Sequence, residues 1–134
     1  MKETILLFNL PDKTMRRKVE LALFPLKIRM RYISKEQYCQ PLGALAGIPE
    51  VSPVETVYEG DELTAPMFVF AGLSDARLNQ VLLAIRRSNA GNFPYKAILT
   101  PTNQFWTAPE CFEEISKEHE MMHTSQQMAH ENNN

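Results

Sequence analysis

Ile5-Leu6-Leu7-Phe8 is an unbroken apolar run, and after a short polar loop Met15, Val19, Ala22 and Leu23 recur at helical spacing. Sixty-two residues on, Met67-Phe68-Val69-Phe70 is followed in the same way by Leu78, Val81, Ala84 and Ile85. Laid over each other without a gap, Phe8 falls on Phe70, Val19 on Val81, Leu21 on Leu83, Ala22 on Ala84 and Leu23 on Ile85. A short continuous apolar run marks a strand covered on both faces, and helical apolar spacing marks an amphipathic helix. The pattern predicts two related half-domains sharing one sheet.

Punctuation residues place the remaining elements. Strand one spans Thr4–Leu10, Asp12 caps the helix that follows, and Pro25 ends it. From Lys27 to Ile33 the chain alternates, with Ile28, Met30 and Tyr32 on one face and Lys27, Arg29 and Arg31 on the other, as expected of a half-exposed edge strand. Ser34-Lys35-Glu36-Gln37 has the form of a capping box opening a short helix that Pro41 and Gly43 limit. The segment 47–66 holds Pro49, Pro53 and Pro66 and reads as an extended connector with room for a short strand. In the second half Ser74 caps a helix running to Ser88, Tyr95–Thr100 is the fourth strand, and Thr107-Ala108-Pro109-Glu110 starts the last helix. Phe112, Ile115, His119 and Met122 share one face of that helix, and the segment 126–134 reads as a disordered polar tail.

Strand-helix alternation with short connections predicts an α/β fold: two βαβα half-repeats forming a four-stranded, mostly parallel sheet flanked by helices, in the order 2-1-3-4. The alternative is a ferredoxin-like or mixed α+β sandwich. The expected organisation is one domain, 1–125, made of pseudo-repeats 4–46 and 67–122 joined by the connector 47–66.

Composition narrows the class. The chain has 134 residues, 44% hydrophobic and 22% charged, enough to bury one core without staples. No apolar run reaches membrane-spanning length, and no secretory signal is expected at the N-terminus. Cys39 and Cys111 lack metal-type spacing, so reduced thiols and a cytoplasmic location are expected. The net charge of −2 conceals a division: residues 1–35 carry nine Lys/Arg against three Asp/Glu, and residues 36–66 carry six acids and no Lys/Arg. Arg16, Arg17 and Lys18 with Arg29 and Arg31 are candidates for a basic patch facing an anion, nucleic acid or an acidic protein. No aromatic residues interleave them, which weighs against single-strand binding and favours solvation of an edge strand.

Two further constellations could carry chemistry. His119-Glu120-Met121-Met122-His123 reads as H-E-x-x-H, the spacing by which two histidines one helical turn apart bind zinc while the glutamate activates water. The longer form of that motif would want a glycine and a histidine where Gln126 and Ala129 stand, and His130 is one place off. The second constellation lies in the loops at the carboxyl ends of the strands, where open α/β sheets bind ligands. Asn9, Asp12, Gly72, Ser74, Thr100, Thr102, Asn103 and Trp106, with Ser34 and Asp75 beside them, would line one crevice there. Hydroxyls, an amide, helix N-termini and an indole suit a small polar or anionic ligand. Ser34, Ser74 and Thr107 also serve as caps, whereas a tryptophan in a Pro/Thr/Asn loop exceeds what a turn requires. Neither G-x-G-x-x-G nor G-K-[ST] is present, so no nucleotide fingerprint supports a cofactor.

Phe70-Ala71-Gly72-Leu73, Lys96-Ala97-Ile98-Leu99-Thr100-Pro101-Thr102-Asn103, Trp106 and Glu118-His119 together resemble a bacterial family of unknown function, domain of unknown function 3783. The resemblance covers about Met67 to Met122 and implies that the loop from Thr100 to Trp106 characterises the family. It implies no activity, substrate or cofactor. The reading is therefore a small bacterial ligand-binding, regulatory or protein-interaction module without catalysis. Its partner is a small polar ligand, another protein, or a second copy through an edge strand, with no membrane, and nucleic acid is disfavoured. The alternatives are a metal-dependent hydrolase using His119, Glu120 and His123, or anion or nucleic-acid binding through the basic first half.

Overall fold

The computed structural model describes the backbone of residues 1–131 and the side chains of residues 1–122. Its strands are β1 (Thr4–Phe8), β2 (Arg29–Ile33), β3 (Met67–Ala71) and β4 (Lys96–Ile98), and its helices are α1 (Lys13–Leu23), α2 (Leu42–Ala46), α3 (Asp75–Arg87) and α4 (Ala108–Glu131). Strand order is β2-β1-β3-β4, as the alternation of elements predicts. β1 pairs with β2 and β3 with β4 in parallel, each across one helical connection. The central pair, β1 with β3, is antiparallel, with Leu6 opposite Val69.

Each central strand sends its side chains alternately into two cores. Ile5, Leu7, Phe68 and Phe70 pack under α1 and α3 with Val19, Leu23, Val81 and Ile85. Leu6, Phe8, Met67, Val69 and Ala71 pack under α2 and α4 with Leu42, Leu45, Cys111 and Ile115. Burying each large apolar side chain contributes roughly 1.5–3 kcal/mol, which is why β1 and β3 carry unbroken apolar runs, Ile5–Phe8 and Met67–Ala71, rather than alternating. Helices on both faces set the fold apart from the ferredoxin-like alternative, in which one face stays open.

Both halves run strand-helix-strand-helix about the antiparallel β1–β3 seam, and the facing of their strands corrects the gapless overlay. Phe8 faces the α2/α4 core, whereas Phe70 faces the α1/α3 core. The counterpart of Phe8 is therefore Ala71, and that of Leu7 is Phe70. The helices keep the original overlay, Val19 with Val81 and Leu23 with Ile85, because the β3–α3 turn is one residue shorter than the β1–α1 turn. A one-residue slip reverses the facing of a strand, so sequence identity at Phe8 and Phe70 misleads while facing decides. The backbone repeats its left-handed positions at matching places: Asn9 (φ 55) and Gly72 (φ 75) after the first strand of each half, Lys27 (φ 54) and Asn89 (φ 57) after the first helix.

Predicted caps are in place. The Asp12 side chain accepts from Met15 N–H and the Ser74 side chain from Arg77 N–H. Ser34 and Gln37 form their reciprocal box around a one-turn 3-10 helix, Lys35–Gln37. The connector 47–66 forms no strand; it is pinned through Tyr58 N–H to Glu36 O (3.1 Å), Val54 N–H to Gln40 Oε1 (2.9 Å) and the buried Val51 and Leu63. Among the described residues no connector carboxylate pairs with a first-half cation. α4 continues through Glu131, into the segment expected to be a polar tail; residues 132–134 lie outside the described residues.

Candidate functional site

The antiparallel seam divides the crevice expected from the sequence. In a fully parallel sheet the carboxyl ends of β1 and β3 would lie together; here Phe8 lies beside Met67, at the start of β3. Asn9, Asp12 and Ser34 are thus at one end of the sheet, and Gly72, Ser74, Asp75, Thr100, Thr102 and Asn103 follow strands that end at the other. Asn9 donates from Nδ2 to Leu63 O at 2.8 Å, tying the connector to β1. Gly72 carries a positive φ, and a Cβ there would meet Lys2 O at 3.0 Å.

Asn103 is the keystone of the loop after β4. Its Oδ1 accepts from Thr100 N–H at 2.7 Å, its own N–H donates to Thr100 Oγ1 at 3.1 Å, and its Nδ2 donates to Ile98 O at 2.9 Å. Thr100 with Asn103 repeats the box made by Ser34 with Gln37 after β2. The Asn103 side chain is buried and engaged at both ends, so it shapes the loop. Thr102 is exposed, and Trp106 is half-buried against the α2/α4 core.

What the loop positions is a cleft of about 390 Å³ along the free edge of β4, whose lining includes Leu78, Leu82, Ile98, Trp106, Glu114 and Glu118. Tyr95 O and Leu99 N–H bond to Phe68 and Phe70 of β3. Alternate residues of a strand turn their backbone groups to opposite sides, so those of Lys96 and Ile98 point outward. Ile98 O is taken by Asn103, which leaves the Lys96 N–H and C=O and the Ile98 N–H along the cleft. The Ile98 side chain is 53% exposed, held over Leu78 and Leu82 with nothing packed outside it.

On the opposite edge the corresponding corner is covered by side chains, while Phe24, Pro25, Ile28 and Met30 line a separate groove of about 450 Å³ further along β2. On β2, Tyr32 stands where Ile98 stands on β4, and Arg16 and Glu20 on α1 stand where Leu78 and Leu82 stand on α3. Arg16 lies over the Tyr32 ring, Cζ 4.1 Å from its centroid, and the Tyr32 hydroxyl donates to Glu20. On the other face Arg31 donates to Leu45 O at the end of α2, meeting a carbonyl the short helix leaves free. Arg16 and Arg31 therefore lie on opposite faces of the sheet, and the predicted basic cluster is not one surface.

The H-E-x-x-H segment offers little to a metal. His119 Nε2 is 2.9 Å from Pro94 O; a carbonyl only accepts, so that nitrogen carries the hydrogen and has no lone pair to give. The His119 ring also packs on Tyr95, 5.6 Å between centroids, and Glu120 is exposed. The His123 and His130 side chains lie outside the described residues. Among the described residues no group of three His, Cys, Asp or Glu could hold a metal ion. Cys39 is half-buried and Cys111 buried, and burial, with Glu118 and Glu114 nearby, pushes the Cys111 thiol up to about 11.

Of the site residues singled out from the sequence, Asn103 and Trp106 line this cleft, whereas Leu78, Leu82, Ile98, Glu114 and Glu118, which also line it, were not among them. The signal lay in the comparison of halves: apolar residues in the second where the first has Arg16, Glu20 and Tyr32.

The geometry defines an α/β sandwich whose two sheet edges differ at corresponding corners, charged and covered on β2 and apolar and exposed on β4. Residues 66–122 match the family model described as domain of unknown function (DUF3783), so the match covers β3, α3, β4 and the start of α4, including every residue of the cleft. It ends before His123. No curated protein and no solved structure matches the chain. No helix among the described residues is long and apolar enough to cross a membrane.

Proposed function

We propose that this protein is a non-catalytic interaction module that captures an extended polypeptide segment as a fifth strand along β4. The observation that carries the reading is the asymmetry of two corresponding corners: that of β2 is covered by Arg16, Tyr32 and Glu20, while that of β4 leaves Ile98 exposed over Leu78 and Leu82 beside free backbone groups. An exposed edge with apolar side pockets favours aggregation unless a partner uses it, and strand addition is the recognition mode that uses both features. The added strand would place alternate side chains toward Leu78, Leu82 and Ile98 on one face and toward Trp106, Glu114 and Glu118 on the other. Two unpaired thiols accord with a reducing cytoplasm.

Selection of a random peptide library displayed on phage against the intact protein tests this. Enriched sequences should show period-two apolar patterning and should lose binding to Ile98→Pro, which removes the outward N–H without touching the β3 ladder. Leu82→Lys should weaken the same peptides through the side-chain wall. Peptides that bind Ile98→Pro and Leu82→Lys as well as the parent protein would sink the reading. A dimer that Ile98→Pro dissociates would identify the added strand as a second copy's β4.

A further inference from the structure

A second surface lies on the outer side of α1 and α3, away from β4. A groove of about 500 Å³ runs between the two helices, lined by Lys18, Leu21, Ala22, Ala84, Arg87 and Ser88. Leu21 is 60% exposed and Leu83, its counterpart on α3, is 40% exposed, although both helices already bury Val19, Leu23, Val81 and Ile85 beneath them. These leucines are thus surplus to the core. Small Ala22 and Ala84 make the floor and the leucines stand as ridges, a relief into which a third helix can lay a ridge of its own. The charged residues lining the groove, Lys18 and Arg87, are both basic. No acidic residue lines it, and the nearest α1 carboxylate, Glu20, is turned toward Tyr32 on β2.

We propose that the α1/α3 groove docks an acidic amphipathic helix of a partner protein, with leucine-type side chains on Ala22 and Ala84 and carboxylates meeting Lys18 and Arg87. Apolar floor and one-signed rim together select such a helix over a neutral one, because charge complementarity fixes the partner and apolar burial supplies the affinity. The groove is concave, which suits a helix rather than the flat surface of a lipid bilayer.

The probe is a synthetic helix of roughly five turns with Leu at helical a/d spacing and Glu elsewhere, titrated into isotopically labelled full-length protein and followed by amide chemical shifts. Shifts should concentrate at Lys18–Ala22 and Leu83–Ser88. The Kd should weaken about tenfold in Lys18→Glu/Arg87→Glu, and weaken as salt is raised. Leu21→Ser, a surface change, should weaken binding with the fold intact. The proposal is overturned if a scrambled peptide of the same composition binds equally, or if shifts map to β4 and α4. It is equally overturned if no shifts develop, or if phosphatidylserine vesicles perturb these residues and the peptide does not.

Discussion

Arg16 stacks on Tyr32 with its guanidinium carbon 4.1 Å from the ring centroid, and this contact closes the outer corner of β2. The Arg16 Nε is buried without a hydrogen-bond partner, so the ring rather than an acceptor holds the cation. Such a contact contributes on the order of 0.5–2 kcal/mol, modest for stability. Its larger effect is to replace an apolar corner with a charged and hydroxylated one. The equivalent corner on β4, Leu78 with Ile98, has no such cover.

Giving β2 the residues of β4 should therefore create a second adhesive edge. The variant Arg16→Leu/Glu20→Leu/Tyr32→Ile is expected to associate with rising concentration in size-exclusion chromatography with light scattering, while Arg16→Lys keeps the behaviour of the parent. A variant that stays at the parent's mass would mean that β2 is protected by something other than this cluster.

Asn103 tests whether the loop after β4 is built or merely present. Asn103→Ala removes the side-chain partners of Thr100 N–H and Ile98 O in a half-buried setting. Unfolding in urea should show a loss of roughly 2–4 kcal/mol, against little for Thr102→Ala, whose side chain is exposed. Equal, small effects at both positions would leave Asn103 without the structural role its hydrogen bonds describe.

At Gly72 the demand is steric and conformational together. With φ at 75°, a Cβ added there would stand 3.0 Å from Lys2 O and 3.2 Å from Met1 O, so Gly72→Ala should cost about 1–3 kcal/mol. At the matching position Asn9 (φ 55), Asn9→Gly keeps the backbone at ease and forfeits only the bond to Leu63 O, so its smaller loss is measurable beside the first.

Much of this architecture was legible because it rests on local signals. Asp12, Ser34, Ser74 and Thr107 announce their caps, and β1 and β3 announce full burial by unbroken apolar runs. The direction of β3 against β1 was not legible, since the 47–66 connector can return the chain either way and no residue in it encodes the choice. That single unknown displaced the ligand crevice, separating Asn9 and Asp12 from Ser74 and Thr100. The one-residue slip between strands and helices was hidden for a related reason: Phe8 and Phe70 are alike in type and opposite in facing. The open edge needed both facts. Leu78 falls on Arg16 in the gapless overlay already, but Ile98 falls on Tyr32 only once each is placed by its pairing, with Phe70 and with Leu7.

Cys111 sets a dependence on alkaline pH. Burial first, then the nearby Glu118 and Glu114, raise its thiol to about 11, and Tyr38, buried and donating to Glu62, is raised further still. A raised pKa in the folded state means that the unfolded chain loses its proton first. The stabilisation is full below the unfolded thiol's pKa, about 8.5, and is lost as pH rises through the folded value. Stability measured in urea should therefore hold up to about pH 8 and fall steadily toward pH 11. Cys111→Ala should flatten the thiol's share of that slope, at the cost of a small cavity. In the folded protein Cys111 should react with a thiol reagent far more slowly than Cys39, and urea should bring the two rates together. Rapid labelling of Cys111 at neutral pH without urea would contradict the packing of α4 on the sheet.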